Sequence, residues 1–546
     1  MSGPAGGKAR SNVSEDLEKL RARSIAKLDS KAALAHIGTL IDFSQDAAYA
    51  RGADRALYLL DELARRELTG REQVIAHYFR ANAWNAKEDA SDALGSWAWE
   101  HPEREQQILA LSRATAHSNF AELDPIRRCQ ILTNRANSLN VMGRFIDAME
   151  GWDAALSIIP NFAMALANRS YGLKQHGGLL EEDRKRALFL LHAHDGLVAA
   201  CAPGAIYDSL DSESLAERFS RDVESYAAAA DFDRIRSLEQ RDGPALGRSR
   251  AERNYRRWCL DLRLFLNPLN DLGPRARGAY DDLVLPTIRE SFEDRPGAVT
   301  PPPVIAFFNQ MKQEYVSARY MLHEGLHDAR VHYSDRGVRL FDTLDYPMHS
   351  LATERVRTAY RIAYSLLDKV AFLVDHYWKL GKITDRINFK NVWMVEGKQR
   401  LLDRFKEHPN WPLRGLFWLS KELFDEQLKQ TTAPDARELH DIRNALEHKF
   451  LQVHEGWACS LMRITPAGEG LGLSIDSDLL EAKALRVMKI ARSALIQLVL
   501  AIGVEERARA RREQEDRDRD GLGDLLLIGS MPLFDLDDRR KRRDPM

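Results

Sequence analysis

The stretch CQILTNRANSLNVMGRFIDAMEGWDAALSIIPNF, at residues 129–162, indicates how the first part of the chain folds. Small Ala136 allows two helices to approach closely, and Gly143 permits a tight turn between them. Trp152 has the size to fill the space between stacked units, and Pro160 ends the second helix because proline cannot continue it. The spacing therefore predicts a unit of two antiparallel helices.

Weaker copies of this unit flank it. The hexapeptide RANAWN at residues 80–85 repeats RANSLN at residues 135–140, and ANRSY at residues 167–171 begins another first helix. A recurring unit of 34 residues with these small, turn and aromatic positions resembles the tetratricopeptide repeat. That resemblance implies a solenoid of stacked helix pairs, in which each unit buries its apolar face against the next.

The predicted solenoid covers residues 34–202 and follows a flexible or helical lead at residues 1–33. A helix pair near residues 36–66, turning near Gly52, is expected to cap the stack, because a repeat cannot bury its apolar face alone. Residues 97–124 are interpreted as an insertion between the first two units.

The concave face of such a solenoid is the expected binding surface for an unknown protein or peptide partner. Four polar residues of the central unit are predicted to line it: Gln130, Thr133, Asn137 and Asn140. The alternative interpretation is that these residues occupy ordinary solvated helix positions. The sequence alone leaves both interpretations open.

Composition excludes several classes of protein. The 79 Lys and Arg residues nearly balance the 81 Asp and Glu residues, and 44% of the chain is hydrophobic, as in ordinary globular proteins. A disordered chain, a collagen, a membrane bundle and a strongly basic nucleic-acid coat are therefore excluded. The first ten residues lack the apolar core of a signal peptide, and the apolar run near residues 494–504 is too short to span a bilayer. We expect a cytoplasmic protein that does not bind a membrane.

The second half of the chain is also predicted to be helical. Almost every periodic segment has helical spacing, and no clear alternating strand is present. Residues 203–250 are interpreted as a charged helical connector, residues 251–504 as a helical domain and residues 505–546 as a charged flexible tail. The longest helix is predicted at about residues 350–380, ended by Gly381. The predicted fold class is therefore all-α.

One segment of this second domain carries a candidate site. PDARELHDIRNALEHKFLQVHEGW, at residues 434–457, is predicted to begin a helix at its Pro-Asp pair. Its apolar residues form one stripe at helical spacing: Leu439, Ile442, Leu446, Phe450 and Val453. At about 100° per residue, His448 points away from that stripe, Asn444 lies one turn before it, and the long Arg443 side chain reaches the same surface.

The Arg-Asn-x3-His arrangement of these residues resembles the signature of the HEPN superfamily, the higher eukaryotes and prokaryotes nucleotide-binding domains. Three further patches are similar to a branch of the superfamily that is joined to helical repeats: LNPLNDL at residues 266–272, KQEY at residues 312–315 and LDK at residues 367–369. The resemblance implies a helical bundle that forms a homodimer and cuts RNA as a metal-independent endonuclease, without a cofactor. It also implies a role as a toxin or an antiviral-defence effector.

By this resemblance Arg443, Asn444 and His448 are the candidate catalytic residues, and their chemistry suits metal-free RNA cleavage. In that reaction the ribose 2′-hydroxyl attacks the adjacent phosphate, so a proton carrier and a fixed cation are needed. The His448 imidazole can carry the proton, and the Arg443 guanidinium can hold two phosphate oxygens. Asn444 can orient His448 or hold the substrate.

Two alternative functions remain open. The first is a non-enzymatic helical adaptor that binds protein or RNA partners, since a looser Arg-x5-His pattern also occurs at Arg71 and His77. The second is a zinc metalloprotease, because HEGLH at residues 323–327 matches the HExxH pattern. That motif has only Glu354 as a distant third ligand, and Gly325 weakens a helix between the two histidines.

Overall fold

The structure is a computed structural model. It describes residue 15 and residues 17–91, 97–208, 212–241, 246–291, 301–328, 330–383, 386–396, 398, 400–406, 409–424, 434–456, 467–468, 472–520 and 525–527. Residues 1–14 of the predicted lead and residues 528–546 of the predicted tail lie outside the described residues.

The first half of the described chain consists of helices joined by short connections. Their bounds are α1 Ser30–Asp46, α2 Ala50–Leu63, α3 Gly70–Asp89, α4 Pro102–Ala116, α5 Pro125–Val141, α6 Phe145–Ile158, α7 Ala163–Gly177, α8 Asp183–Ala200, α9 Ser212–Ala227 and α10 Phe232–Arg241. Consecutive helices pack along one another as pairs, α1 with α2, α3 with α4, α5 with α6 and α7 with α8. Each pair also packs on the next, so the apolar faces are covered in series.

The unit predicted at residues 129–162 forms α5 and α6. Gly143 lies in the turn with a φ of 87°, a conformation that glycine adopts without steric cost. Ala136 and Trp152 are buried, and α6 ends two residues before Pro160. The predicted helix–turn–helix is confirmed, whereas its assignment to the tetratricopeptide family remains a prediction.

Two details of the predicted solenoid are wrong. Residues 97–124, interpreted as an insertion, contain α4, which packs along α3 and buries Leu111. The turn of the first pair lies before α2 rather than near Gly52. Gly52 is inside α2, where a Cβ atom would overlap the Ser44 side chain. Small size, and not turn formation, therefore accounts for this glycine.

The segment predicted as a charged connector contains α9 and α10, and both helices pack on α8. Phe219 and Tyr226 of α9 are buried against this helix array. The Tyr171 hydroxyl of α7 donates a hydrogen bond of 2.7 Å to Asp222. The segment therefore forms amphipathic helices that pack their apolar residues on α8 and carry their charged residues on the other face.

The second half of the described chain is a helical bundle. Its helices are α11 Arg250–Asp261, α12 Pro303–His327, α13 Leu351–Trp378, α14 Asp403–Lys406, α15 Trp411–Phe424, α16 Pro434–His448 and α17 Ser477–Asp520. Helix α12 packs along α13, α17 packs on both, and α16 packs on α13, α15 and α17. The predicted all-α class is confirmed, and α13 ends where Lys379 adopts a left-handed φ of 52°, two residues before Gly381.

Short strands occur where the sequence analysis placed none. Strand β2 Phe450–His454 pairs in parallel with β4 Gly472–Asp476, which pairs with β3 Ala467–Gly468. Strand β1 Arg289–Ser291 pairs antiparallel with β5 Leu525–Leu527. The prediction that Phe450 and Val453 continue the helical stripe of α16 is therefore wrong, because the chain leaves the helix after His448.

Helix α17 changes the interpretation of the C-terminal segment. It runs through Glu505 to Asp520, so the predicted flexible tail begins as helix, and the buried Glu506 accepts a hydrogen bond of 2.5 Å from the Tyr377 hydroxyl. Within Ser477–Glu515 an 18-residue window is apolar enough to cross a membrane, with a mean hydropathy of 1.8. Of that window 89% is buried inside the protein, as in the core helix of a bundle.

The two halves meet at a tightly packed junction. A Cβ atom on Gly143 would overlap the Trp411 carbonyl, and one on Gly415 would overlap the Gly143 carbonyl. The buried Arg144 donates to Glu422 of α15 at 2.5 Å, and the Trp411 indole donates to the Asn140 carbonyl at 2.9 Å. Helix α15 is thereby fixed to the turn between α5 and α6, and α15 in turn contacts α16.

Candidate active site

Helix α16 is held on α13 by side chains that bind its backbone. The Tyr360 hydroxyl donates to the Leu439 carbonyl at 2.6 Å, and Arg361 donates to the Leu446 carbonyl at 2.6 Å. Carbonyls of the last helical turn have no partner within the helix, so Arg361 satisfies one of them and places positive charge at the negative end of the helix. Helix α13 therefore fixes both the position and the end of α16.

The apolar stripe of α16 packs on the bundle, so the opposite face of the helix points outward. Leu439, Ile442 and Leu446 are buried against the bundle, as predicted. His448, the last residue of the helix, is exposed. The predicted exposure of His448 is therefore confirmed.

A hydrogen-bonded chain of side chains lies on this outer surface. The Arg443 guanidinium donates to Oδ1 of Asn444 at 3.1 Å. The Asn444 amide nitrogen lies 2.9 Å from Nε2 of His440, one turn earlier. Arg443 and Asn444 are thus joined by a hydrogen bond. Asn444 was predicted to orient His448, but its side chain contacts His440 instead.

His440 is the residue that the sequence analysis missed. His440, Asn444 and His448 follow one another at intervals of four, the spacing that places side chains on one helical face. The signal lay in the quoted segment, but the HEPN signature starts at Arg443 and so draws attention only to the residues after it.

The Arg443 charge also acts on two groups of α13, the buried Tyr364 and the half-buried Asp368. Burial raises the pKa of Asp368 above its usual value, and the Phe389 N–H group and the Arg443 charge oppose that rise. Burial, with the Asp368 charge, also raises the pKa of Tyr364, and Arg443 again opposes the change. The guanidinium therefore lies within electrostatic reach of the α13 surface as well as in contact with Asn444.

The HEGLH motif lies on the last turns of α12. The rings of His323 and His327 stack with their centroids 4.4 Å apart, and Nδ1 of His327 lies 2.8 Å from the His323 carbonyl oxygen. Glu354, the distant third ligand of the zinc hypothesis, is hydrogen-bonded to Arg357. In the described residues no group of three or more His, Cys, Asp or Glu is arranged to hold a metal ion.

Gly325 within the motif has a packing role. A Cβ atom there would lie 2.7 Å from Cγ2 of Val356 and 2.9 Å from the Ala352 carbonyl oxygen. The glycine therefore allows α12 and α13 to cross closely. Helix packing therefore accounts for the glycine in the HEGLH motif.

A polar cavity of about 750 Å³ lies in the first half, where α1, α3, α4 and α5 meet. Gln130, Asn134 and Asn137 of α5 line it at helical intervals of four and three. Further amide side chains share its wall: Gln45, Asn82, Asn85 and Gln107. Asn134 is a lining residue that the sequence analysis did not name.

The two other predicted groove residues lie elsewhere. Thr133 is buried, because it shares the packed face of α5 with Cys129 and Ala136. The Asn140 side chain donates to Gln175 at 3.1 Å and does not line the cavity. The prediction for Thr133 is therefore wrong in position. Gln130 and Asn137 line a cavity, and a partner-binding role for Asn140 remains a prediction.

The family comparison concerns the domain that holds α16. A family model described as LA2681-like HEPN matches residues 296–505. These residues form a HEPN domain. The matched range contains Arg443, Asn444 and His448, and the superfamily resemblance inferred from the sequence is confirmed. Neither a curated protein nor a solved structure matches the chain.

The other patches that resemble the superfamily have structural roles around the HEPN domain. Lys369 of the LDK patch pairs with Glu314 of the KQEY patch at 2.5 Å. The Tyr315 hydroxyl donates to the Leu264 carbonyl at 2.9 Å. Asp271 of the LNPLNDL patch, which precedes the matched residues, pairs with the buried Arg492 at 2.7 Å. Tyr315, Asp271 and Arg492 therefore belong to the packed interior, and the Lys369–Glu314 pair links α12 to α13 nearer the surface.

Proposed function

We propose that the HEPN domain is a metal-independent RNA endonuclease, with Arg443, Asn444 and His448 in its active site. The observation that carries the proposal is the arrangement on α16, where a bonded Arg443–Asn444 pair and an exposed His448 lie on a helix that α13 holds in place. Many HEPN domains act in toxins or defence effectors. We propose such a role for this protein.

The proposed cleavage reaction proceeds without a metal ion or a cofactor. The 2′-hydroxyl oxygen attacks the adjacent phosphorus while the bond from phosphorus to the 5′-oxygen breaks, which leaves a 2′,3′-cyclic phosphate and a 5′-hydroxyl. His448 suits proton transfer, because imidazole both accepts and donates protons near neutral pH. Arg443 suits the phosphorane, because its fork of N–H groups binds two phosphate oxygens and stays charged.

Asn444 and His440 act in this proposal through Arg443. Asn444 accepts from the guanidinium and contacts His440, so the two residues restrict where Arg443 can point. A restricted guanidinium loses less freedom when it binds the transition state. We therefore assign Asn444 and His440 as positioning residues.

We further propose that a second copy of the chain completes the active site. His448 is exposed at the end of α16, so a second protomer could supply groups that hold the RNA from the opposite side. A two-fold axis near α16 would place two Arg443–His448 sets in one cleft. The homodimer is thus part of the proposed mechanism.

Purified full-length protein tests the assignment. Wild type should cut single-stranded RNA in EDTA and leave 2′,3′-cyclic phosphate ends, and His448→Ala should cut at least about a hundredfold more slowly. His376→Ala is the matched control, because His376 is an exposed histidine on α13 of the same domain. Equal cleavage by His448→Ala and wild type would refute the site, and RNA binding without cleavage by wild type would favour the adaptor.

The polar cavity supports a second role for the first half. We propose that it binds an extended segment of a protein partner, because its amide side chains offer both donors and acceptors to a peptide backbone. Gln130→Lys with Asn134→Lys should place two positive charges in the cavity and change toxicity in cells while leaving cleavage by purified protein unchanged. An unchanged cellular phenotype would show that the cavity does not regulate the enzyme.

A further inference from the structure

An apolar cavity of about 230 Å³, here called the junction cavity, lies where the two halves meet. Its walls come from the connection between α7 and α8, from the segment that precedes β1 and from α17. Val284 is 38% exposed, so solvent reaches the cavity beside it. Apolar cavities with a few polar groups are common binding sites. The apolar residues of the three walls include Leu179, Leu180, Leu283, Val284, Leu285 and Val499.

The walls of the junction cavity are fixed to one another by polar contacts. The Lys185 ammonium group of α8 pairs with Asp282 at 2.6 Å, which joins the first half to the segment before β1. The Arg507 guanidinium of α17 donates to the Leu179 carbonyl at 3.1 Å, which joins the HEPN domain to the connection between α7 and α8. The shape of the cavity is therefore set by contacts between the two halves.

One buried polar atom in the wall has no partner. Oδ1 of Asp282 is buried and accepts no hydrogen bond from the part of the chain that the structure describes. Burial raises the pKa of this carboxyl group above its usual value, although the Lys185 charge opposes the rise. Buried acceptors in native proteins are nearly always paired, so we expect an occupant to bring a donor. An occupant with apolar side chains and N–H donors, such as a peptide segment, meets both requirements.

The direction of β5 leads the chain toward this cavity. Strands β5 and β1 are antiparallel, with Leu527 opposite Arg289. Strand β1 is itself fixed to α17, because the Arg289 N–H group donates to the Glu506 carboxylate at 2.9 Å. If the same register continued beyond Leu527, residues 531–534 would lie opposite residues 282–285 of the cavity wall. The chain that follows β5 therefore starts beside the cavity and points along its wall.

The sequence at that distance from β5 has the chemistry that the cavity requires. Residues 531–534 are Met-Pro-Leu-Phe and lie outside the described residues. They offer large apolar side chains, and the N–H groups of Leu533 and Phe534 are potential donors to Asp282. Three residues, 528–530, separate this segment from β5. So short a tether gives an effective concentration on the order of millimolar, against which any other peptide would have to compete.

We propose that residues 531–534 bind in the junction cavity of their own chain. The bound segment contacts Leu179 of the first half and Val499 of α17 together, so it fastens the HEPN domain to the helix pairs. This inference does not rest on the proposed function, because neither the cavity nor the segment includes a residue of α16.

Disulfide cross-linking of the full-length protein tests the occupant. Val284→Cys with Pro532→Cys should form a disulfide within one chain under mild oxidation, because residues opposite each other on paired strands have the Cα separation that a disulfide needs. Val198→Cys with Pro532→Cys is the matched control and should not form it. Val198 is 45% exposed and lies on α8, thirteen residues and about 20 Å beyond Lys185. Each single variant measures the background from the native cysteines.

Hydrogen exchange is a second measurement that does not depend on the exact register. In full-length wild type the amides of residues 533–538 should exchange at least about tenfold more slowly than in Val284→Asp. Val198→Asp should leave their exchange unchanged. In the reverse experiment, Leu533→Asp with Phe534→Asp should speed the exchange of residues 283–285 in the cavity wall. Circular dichroism should show that all variants are folded.

The outcomes distinguish the possible occupants of the cavity. A disulfide within one chain, with slow exchange that Val284→Asp removes, supports the proposal. A disulfide between two chains, which doubles the mass on a denaturing gel, would overturn it and assign the cavity to the segment of a second copy. Equally fast exchange of residues 533–538 in wild type and Val284→Asp, without the disulfide, would also overturn it and leave the cavity to another protein or to a small apolar ligand.

Discussion

Arginine and histidine side chains occupy two contrasting regions of this protein. In the packed interior Arg492 binds Asp271 and the Phe265 carbonyl, each at 2.7 Å, and His176 lies buried between aromatic rings. On α16 Arg443 binds a neighbouring amide, and His448 faces outward. The same residue types therefore stabilise the fold in one region and are available to a substrate in the other.

The largest expected effect is in the interior. Arg492→Ala would leave the fully buried Asp271 carboxylate without its cation. Removing one member of a buried ion pair costs about 3–5 kcal/mol. We therefore expect a strongly reduced free energy of unfolding in urea or a loss of soluble protein. If Arg492→Ala lowered the free energy of unfolding by less than about 1 kcal/mol, the interior arginine would not have the stabilising role that distinguishes it from Arg443.

A pH measurement sharpens the comparison of the histidines. Burial, with a smaller effect of the Arg492 charge, lowers the pKa of His176 to about 3 in the folded protein. The unfolded chain binds this proton near pH 6.5, so the folded state binds fewer protons below that pH. Stability should be unaffected above pH 6.5 and should fall toward pH 3 by about 1.4 kcal/mol per pH unit from this residue.

His176→Phe tests this expectation. The ring lies between Phe145 and Phe189, with centroids 4.3 and 4.8 Å away, so phenylalanine preserves aromatic packing. The variant should lose less stability than wild type between pH 6.5 and pH 4.5, as measured by urea unfolding. Parallel pH profiles for the two proteins would show that His176 does not remain neutral in the folded state.

A smaller effect is expected from a positioning residue on the outer surface. Asn444→Ala removes the link between Arg443 and His440 but no buried contact. Cleavage at saturating RNA should fall by about tenfold, because the guanidinium becomes less restricted. Asn444→Asp, which keeps the acceptor for Arg443, should recover part of the rate. Equal rates for Asn444→Ala and wild type would remove Asn444 from the site.

The sequence predicts the local features of these regions well. The helix expected at residues 350–380 is observed at Leu351–Trp378, and the buried stripe of α16 is correct as far as Leu446. Both depend on apolar spacing within one segment, which the sequence displays directly. The HEPN signature at residues 443–448 likewise consists of residues that lie close together in the sequence.

Features that depend on distant residues were missed. Strand β2 forms because it pairs with β4, whose residues lie about twenty positions later, and periodicity within residues 434–457 contains no sign of that partner. The close approach of Gly143 to Gly415 is likewise set by packing between the two halves. The position of Thr133 was mistaken because the packed face of α5 was not separated from the face that lines the cavity.

The most direct test compares stability and cleavage in the same variants. We predict that Arg443→Ala and His448→Ala each lower the rate of RNA cleavage in EDTA at least about a hundredfold, while their free energies of unfolding stay within about 0.5 kcal/mol of wild type. Such a result would separate the catalytic surface from the packed interior. Wild-type cleavage rates in either variant, or a loss of cleavage that accompanies unfolding, would contradict the assignment of α16 as the active site.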